Sequence, residues 1–401
     1  MTEKKLRIGI IGAGSRGVQC FGKLISGRND AKIVALCDPN PVRMEASVKY
    51  FPEKPNFYSS IKEMAKKEKL DACIITSPDY CHDKNAVEAL NNGVNVLLDK
   101  PLATTVKGCK DILAAAKKTG KTVMIGFNLR HSPALKKLKE IIDAGTLGKI
   151  FMIENREFYD GGKTYMSRWN RRYELCGGLW IHKGSHDFDV FNWLLDFPKP
   201  LKVSATAGIN VFTKDQIPFK VEKNKPVGPT CTKCAYRETC PDCYDLKALE
   251  EWGEKAMKVD KYAKDLCMYT SDKNVHDNGI AIVEYENGAR ASHLECFVCS
   301  FSDRFYTVVG DRGTAEVSLD QRKITVRPRW TNDVITYDVG EVRGGHGGAD
   351  TGLVESFINV IKGSNPNSST AEHGMLSTAI GQAAEISRRE DRTVFIKELM
   401  K

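Results

Sequence analysis

The chain has 401 residues, 41% hydrophobic and 28% charged, which excludes a disordered or fibrous protein and predicts two domains, one of them enlarged. The formal net charge is +9, yet the lysines scatter over amphipathic stretches and no compact basic tract interleaved with aromatics occurs, so a nucleic-acid partner is not expected. No uncharged apolar run approaches the ~18 residues of a membrane helix, and Met1 to Ile8 runs into a strand pattern with no apolar leader, so a cytoplasmic protein without a membrane partner is expected.

Leu6 to Ile11 is an apolar run broken only by Arg7 and Gly9, the pattern of a strand buried on both faces. Gly12-Ala13-Gly14-Ser15-Arg16-Gly17 follows, and then an amphipathic stretch to Ile25. Further strands are expected at 31–37, 71–76, 94–98 and 123–127. Helical patterns fall at 41–50, 82–92, 105–119 and 133–144. Strands alternating with helices imply a doubly wound parallel sheet. A lone GxGxxG is weak evidence. Here it follows a strand and opens a helix, and Asp38 ends the next strand 21 positions after Gly17, which is the dinucleotide-binding fingerprint. Gly12 permits the tight turn, Gly14 admits the pyrophosphate and Gly17 lets helix and strand pack closely. The helix amino terminus faces the phosphates. Asp38 would accept the ribose hydroxyls and repel a 2′-phosphate, favouring NAD, whereas Arg16 and Arg43 keep NADP open.

Lys100 stands at the carboxyl end of a parallel strand, where open sheets place ligands. Its ammonium could hold a reacting hydroxyl and stabilise an alkoxide, although a surface lysine before a turn-forming proline is the plainer reading. His182 and His186 are spaced i, i+4 and share a helix face if one helix includes both. The apolar helix Phe188, Val190, Phe191, Leu194, Leu195 makes a core histidine at 186 the more ordinary outcome. Beyond that point strands succeed one another at 149–158, 201–211, 279–285, 289–297, 304–309, 313–318, 323–327 and 334–339, with a hairpin at Glu286-Asn287-Gly288. This is the pattern of a large, mostly antiparallel sheet. An exposed sheet face usually finds a partner, so a homodimer or homotetramer through that sheet is expected.

At Leu98-Asp99-Lys100-Pro101-Leu102-Ala103 the sequence resembles the glucose–fructose oxidoreductase / inositol dehydrogenase (Gfo/Idh/MocA) family, which carries Glu-Lys-Pro there. The resemblance extends through Thr76-Ser77-Pro78-Asp79 with His82, then Gly126-Phe127-Asn128-Leu129-Arg130. It continues in Gly177 to Asp189, which holds both histidines, and in Gly345-His346 to Asp350. It implies an NAD(P)-dependent enzyme acting on a sugar or cyclitol hydroxyl, with a Rossmann domain (1–128) and an α+β domain carrying an open antiparallel sheet (129–401). An insertion at about 212–275 and carboxyl-terminal helices packing back on the first domain belong to this division. The implied cofactor contacts are Gly12, Gly14, Ser15, Arg16, Gly17, Asp38, Thr76, Ser77, Pro78, His82, Lys100 and Asn128. Lys100 and His186 match the family's lysine and acid/base histidine, and His182 replaces its usual aspartate as a possible proton relay. Substrate contacts are expected among Lys100, Arg130, Arg156, Trp169, His182, His186 and His346. Asp187 and Asp189 could cap or pair, Arg168, Arg171 and Arg172 could recognise hydroxyls, and Trp180 could stack on a sugar or fill the core.

Thirteen cysteines is a high count. Eight are scattered and look like reduced buried thiols. Cys231-x2-Cys234-x5-Cys240-x2-Cys243, with Cys267 downstream, lies in the insertion and signals a metal, since paired Cys-x-x-Cys thiolates suit tetrahedral zinc. The family resemblance implies that four of the five hold it, as a structural zinc, with Cys243 the spare. An iron–sulfur cluster, free thiols or a redox disulfide are the alternatives. The leading function is a simple NAD-dependent sugar or cyclitol dehydrogenase. The runner-up is a redox-neutral NAD-dependent glycosidase or lyase, which oxidises a hydroxyl transiently, eliminates the aglycone and returns the hydride. A non-catalytic NAD-binding regulator is the third.

Overall fold

The computed structural model describes residues 5–244, 253–340, 345 and 347–401. Six strands, β1 (Leu6–Ile11), β2 (Ala31–Cys37), β3 (Asn56–Tyr58), β4 (Ala72–Ile75), β5 (Asn95–Leu98) and β6 (Val123–Ile125), form a parallel sheet in the order β3-β2-β1-β4-β5-β6. Helices cover both faces, so Ile74, Ile75, Leu97 and Leu98 are fully buried, as the uninterrupted apolar runs require. β3 was not expected: it is a three-residue edge strand, half-exposed, too short to leave a periodic signal. The strand order reverses between β1 and β4, so the crevice at their carboxyl ends is the switch point where such sheets bind ligands.

The second sheet has nine strands in the order β14-β13-β12-β11-β7-β10-β9-β8-β15. They are β7 (Ile150–Asp160), β8 (Pro200–Gly208), β9 (Asn278–Tyr285), β10 (Arg290–Cys296), β11 (Val298–Gly310), β12 (Gly313–Ser318), β13 (Lys323–Pro328), β14 (Ile335–Asp338) and β15 (Val394–Phe395). All pairings are antiparallel except β7 with β10. Two expected boundaries move by three residues or more. β8 stops at Gly208, not 211, because the Asp277 carboxylate takes the amides of Asn210, Val211 and Phe212 out of the ladder. β11 begins at Val298 instead of 304, and its register shifts between Val298 and Asp303. The polar run Ser300, Ser302, Asp303 had hidden that half of the strand.

One face of this sheet is covered by the helices Ser185–Leu194 and Ala371–Glu390, with Phe188, Phe191, Ile380 and Ala383 in one core with Val203, Val283 and Val308. The other face is open and exposes Met152, Ile280 and Ile282. The two sheets are tied together at the carboxyl end of the chain. Helix Ala349–Ile361 inserts Leu353, Phe357 and Ile358 into the core under β1. Thr370, which caps the helix Ala371–Glu390 through the His373 amide, pairs with Met124 of β6, and Ser387 on the same helix accepts from the Ala205 amide of β8. No helix among the described residues is long and apolar enough to cross a membrane.

Candidate active site

The glycine loop closes the carboxyl end of β1. Gly12 has φ +96°, and a Cβ on it would lie 2.7 Å from the Ser77 amide nitrogen. A Cβ on Gly17 would lie 2.5 Å from the Gly12 carbonyl, so both positions demand glycine. A Cβ on Gly14 would meet nothing within 4 Å. It faces open space over the loop, as a backbone that must admit a pyrophosphate should. The following helix opens with π-helical turns over Arg16–Gly22 and continues as α-helix over Lys23–Ser26. Thr76 Oγ1 donates to the Gly12 carbonyl at 2.9 Å, which locks the loop to the end of β4. The Asp38 carboxylate accepts the amides of Ala13 and Asn40, each at 2.8 Å. Its pKa is raised by burial against the pull of those two amides. The donor set and open cradle fit a dinucleotide. Arg16, however, is bound by Asp99 and Asp350 at 3.1 and 2.9 Å, so its charge is already matched.

Other expected cofactor contacts serve the frame. His82 is 1% exposed, and its ring bridges the carbonyls of Pro101 and Ser77 at 2.7 and 2.9 Å. Asn85 Nδ2 donates to Ser77 Oγ. Asn128 is buried and donates to Asp350 at 3.0 Å.

Lys100 lies two residues beyond β5, in reach of the second domain. Its ammonium donates to the carbonyl of His182. Burial lowers its pKa, with Asp79 and Asp99 acting in the opposite direction. His182 ends the short helix Leu179–His182 and His186 stands in the first turn of Ser185–Leu194, so the pair does not share one continuous helix. The break at Lys183–Gly184 corrects the shared-face expectation. The His182 ring is held by Asp79 Oδ2 at 2.6 Å on Nδ1 and by Asn170 Nδ2 at 3.1 Å on Nε2. Tyr165 and Trp169 pack edge-on against it, with centroids at 5.7 and 5.4 Å. Burial pushes the His182 pKa down, and Asp79 opposes this. Behind this layer a buried charge network supports the turn. Lys183 pairs with Glu157 at 3.0 Å, and Arg304 pairs with Glu157 and Asp187 at 2.7 and 3.2 Å. Asp79, Asn170 and Tyr165 were not singled out from sequence. Asp79 lay inside the quoted Thr76-Ser77-Pro78-Asp79 motif, but its partner is 103 positions away, so local spacing carries no signal for it.

Several expected substrate contacts stand elsewhere. Arg130 is 5% exposed and forms a bidentate pair with Asp189 at 2.7 and 2.6 Å, so both are interior structural groups. Arg156 lies on the open sheet face, over the Phe305 ring at 5.0 Å and paired with Glu154. Neighbouring Glu157 points to the opposite face, as strand alternation dictates. Trp180 is fully buried, 4.6 Å from the His276 ring, and is core. Arg171 and Arg172 are taken by Asp272. Trp169 alone of the expected aromatic contacts meets the centre. His346 lies outside the described residues.

All five clustered cysteines line one cavity, with Met268 and Tyr269. Cys231 and Cys234 accept the amides of Tyr244 and Gly228 at 3.3 and 3.4 Å. Among the described residues, the trio whose ligand atoms all lie within 4.8 Å of one another is Glu157, Asp187 and His293. Among the described residues no three cysteine sulfurs lie that close together. That trio is already neutralised by Lys183 and Arg304, so its geometry is that of an ion-pair network.

Comparison with known proteins gives two adjoining matches to the Gfo/Idh/MocA family: the oxidoreductase family NAD-binding Rossmann fold over residues 6–127 and the oxidoreductase family carboxyl-terminal alpha/beta domain over 139–396. The chain is 28% identical over 423 residues to YteT of Bacillus subtilis (strain 168), which carries a provisional oxidoreductase name, with 97% of each chain covered. It is 26% identical to the inositol 2-dehydrogenase of Salmonella typhimurium (strain LT2) over 62% of this chain and 81% of that one. Its fold matches the WlbA dehydrogenase of Bordetella pertussis, solved with NADH and UDP-GlcNAcA, at a TM-score of 0.69 with 19% identity, covering 98% of this chain and 99% of that one.

Proposed function

The chain belongs to the Gfo/Idh/MocA oxidoreductases, and on that premise we propose that it transfers hydride between NAD and a secondary hydroxyl of a sugar, glycoside or cyclitol. The observation that carries this reading is the convergence of Lys100 and the Asp79–His182 pair at the mouth of the crevice that the glycine loop closes. Residues 1–128 hold the nucleotide in this reading, through Gly12, Gly14, Ser15, Gly17, Asp38 and Thr76. Residues 129–401 bring the histidines and Trp169. When bound, NAD supplies the hydride acceptor. Lys100 donates a hydrogen bond to the reacting oxygen and stabilises the negative charge that develops there. Its lowered pKa makes it a readier proton-sharing partner. His186 takes the hydroxyl proton as general base, and His182 holds the carbonyl on which Lys100 rests. The relatives' names support a sugar or cyclitol, since one is an inositol 2-dehydrogenase and another was solved with UDP-GlcNAcA.

Two finer features complete the proposal. Four of the five insertion cysteines hold one structural zinc, supported by their shared cavity and by the amide donors aimed at Cys231 and Cys234. A second copy covers the open sheet face, whose exposed Met152, Ile280 and Ile282 otherwise meet water. The test of function is a panel of sugars, cyclitols and glycosides incubated with NAD, following NADH absorbance and released aglycone together. Stoichiometric NADH with an oxidised product supports a dehydrogenase. Aglycone release without NADH replaces it with the redox-neutral cleavage.

A further inference from the structure

The insertion does more than carry cysteines. Its helix Gly253–Asp260 docks on the helix Pro41–Ser47 that follows the Asp38 loop. Asn40 is 1% exposed, and its Nδ2 donates to the Ala256 carbonyl at 2.9 Å and to Asp260 Oδ2 at 2.8 Å. Asp260 Oδ2 also accepts from Arg43 Nε and from its terminal nitrogen, at 2.8 and 2.7 Å. The Tyr262 amide donates to the other carboxylate oxygen at 3.1 Å. The Asn40 amide in turn donates to Asp38. Asp38, Asn40, Arg43 and Asp260 are therefore one connected polar network, although Arg43 and Asp260 are 217 positions apart.

Arg43 is the cation a 2′-phosphate would need, because it stands on the first turn after the ribose-binding acid. Here it is committed to a carboxylate and 9% exposed. The Arg43 guanidinium is matched by Asp260, and Asp38 stands in the same network through the Asn40 amide. A phosphate arriving there would have to displace Asp260 from a charge-assisted pair and remain beside Asp38, and an introduced like charge in a partly buried site is strongly disfavoured.

We propose that Asp260, supplied by the cysteine-rich insertion, is a specificity-determining residue that selects NAD over NADP by occupying Arg43. The proposal rests on the NAD reading above and adds a second acid to the one that the glycine-loop fingerprint provides. Cofactor choice is then built from two distant parts of the chain, and the insertion is part of the cofactor site.

The test is equilibrium binding of NAD and of NADP to the full-length protein, wild type against Asp260→Asn, Arg43→Gln and the double variant. In Asp260→Asn the ratio of the NADP to the NAD dissociation constant should fall about tenfold or more, the worth of one freed charge-assisted contact. The double variant should lose that gain, since the cation itself is gone. Arg43→Gln alone should make the ratio larger, because Asp260 then faces the phosphate uncompensated. An unchanged ratio in Asp260→Asn, or better NADP binding in Arg43→Gln, overturns the assignment of Asp260 while leaving the NAD reading standing. Arg43→Gln keeps the question decidable if Asp260→Asn does not fold. Wild-type protein that binds neither nucleotide overturns the NAD reading itself.

Discussion

Asp79 Oδ2 lies 2.6 Å from His182 Nδ1, so a loop of the nucleotide sheet grips a histidine of the second domain. Asp79 is 3% exposed. Because a carboxylate accepts from the Nδ1 proton, the Nε2 lone pair is left toward Asn170, and the ring is fixed in one orientation. With both ring nitrogens engaged, the group of His182 that reaches the centre is its carbonyl, the acceptor for Lys100. His182 is a positioning residue in this arrangement.

That relationship has a measurable consequence. Asp79→Asn and His182→Ala should each lower kcat by about tenfold to a hundredfold through a misplaced Lys100. The double variant should be little worse than the worse single, because the two act through one contact. Burial holds the His182 pKa below its ordinary value, so the ring is neutral at pH 7 and contributes no activity limb above ~6.5. His182→Gln should keep the wild-type pH profile of kcat. Loss of the acidic limb in that variant would make His182 the base and refute the positioning role.

The reacting groups themselves should behave differently. Lys100→Met and His186→Ala should each lose ~10²–10⁴-fold in turnover. The double variant should lose less than the product of the singles, since residues acting as a unit are not additive. NAD affinity depends chiefly on the glycine loop and Asp38 and should shift far less than turnover does. Single-turnover measurement at saturating NAD decides it: near-wild-type turnover in His186→Ala removes that residue from the chemistry.

Arg130 illustrates where sequence could not reach. An arginine two residues after Asn128 in a matched motif is as good a substrate ligand as any, until Asp189 is found against it. Asp189→Asn should leave Arg130 buried without its charge partner, a loss of about 3–5 kcal/mol by the behaviour of broken buried pairs. Thermal melting should show a clear fall in Tm, while the substrate KM of the folded variant stays within about twofold, as expected for a group outside the site. A KM rise without loss of stability would return Arg130 to the substrate.

What the sequence disclosed follows the range of its signals. Gly12, Gly14, Gly17 and Asp38 were legible because a strand, a turn and a helix in succession force their spacing. Eight strands of the nine-strand sheet were legible in their alternation, apart from the polar first half of β11 and the Asp277-capped end of β8, whereas the two-residue edge strand β15 is too short to leave a pattern. Asp79, Asn170 and Asp260 were not: their partners lie 103, 12 and 217 positions away, and for Asp79 and Asp260 the approach is decided by domain packing. Arg156 shows the same limit within one strand: its neighbour Glu157 faces the core network, so one step of register separates the open face from the interior.

The insertion joins the last two threads, metal and cofactor. Cys231 and Cys234 accept backbone amides, whereas Cys243 Sγ donates to the Tyr244 carbonyl at 3.6 Å, which sets Cys243 apart as the spare. Purified protein should therefore carry about one zinc per chain, retained in Cys243→Ser and lost in Cys231→Ser, Cys234→Ser, Cys240→Ser and Cys267→Ser. Chelation should remove it only under denaturing conditions, and refolding without metal should fail to restore the insertion. Because Asn40 and Arg43 bind the helix Gly253–Asp260 directly, a chain lacking the metal should also discriminate less between NAD and NADP. Elemental analysis that finds neither zinc nor iron refutes the metal. Full metal loss with unchanged cofactor discrimination would show that the helix docks on the nucleotide domain without help from the cysteines.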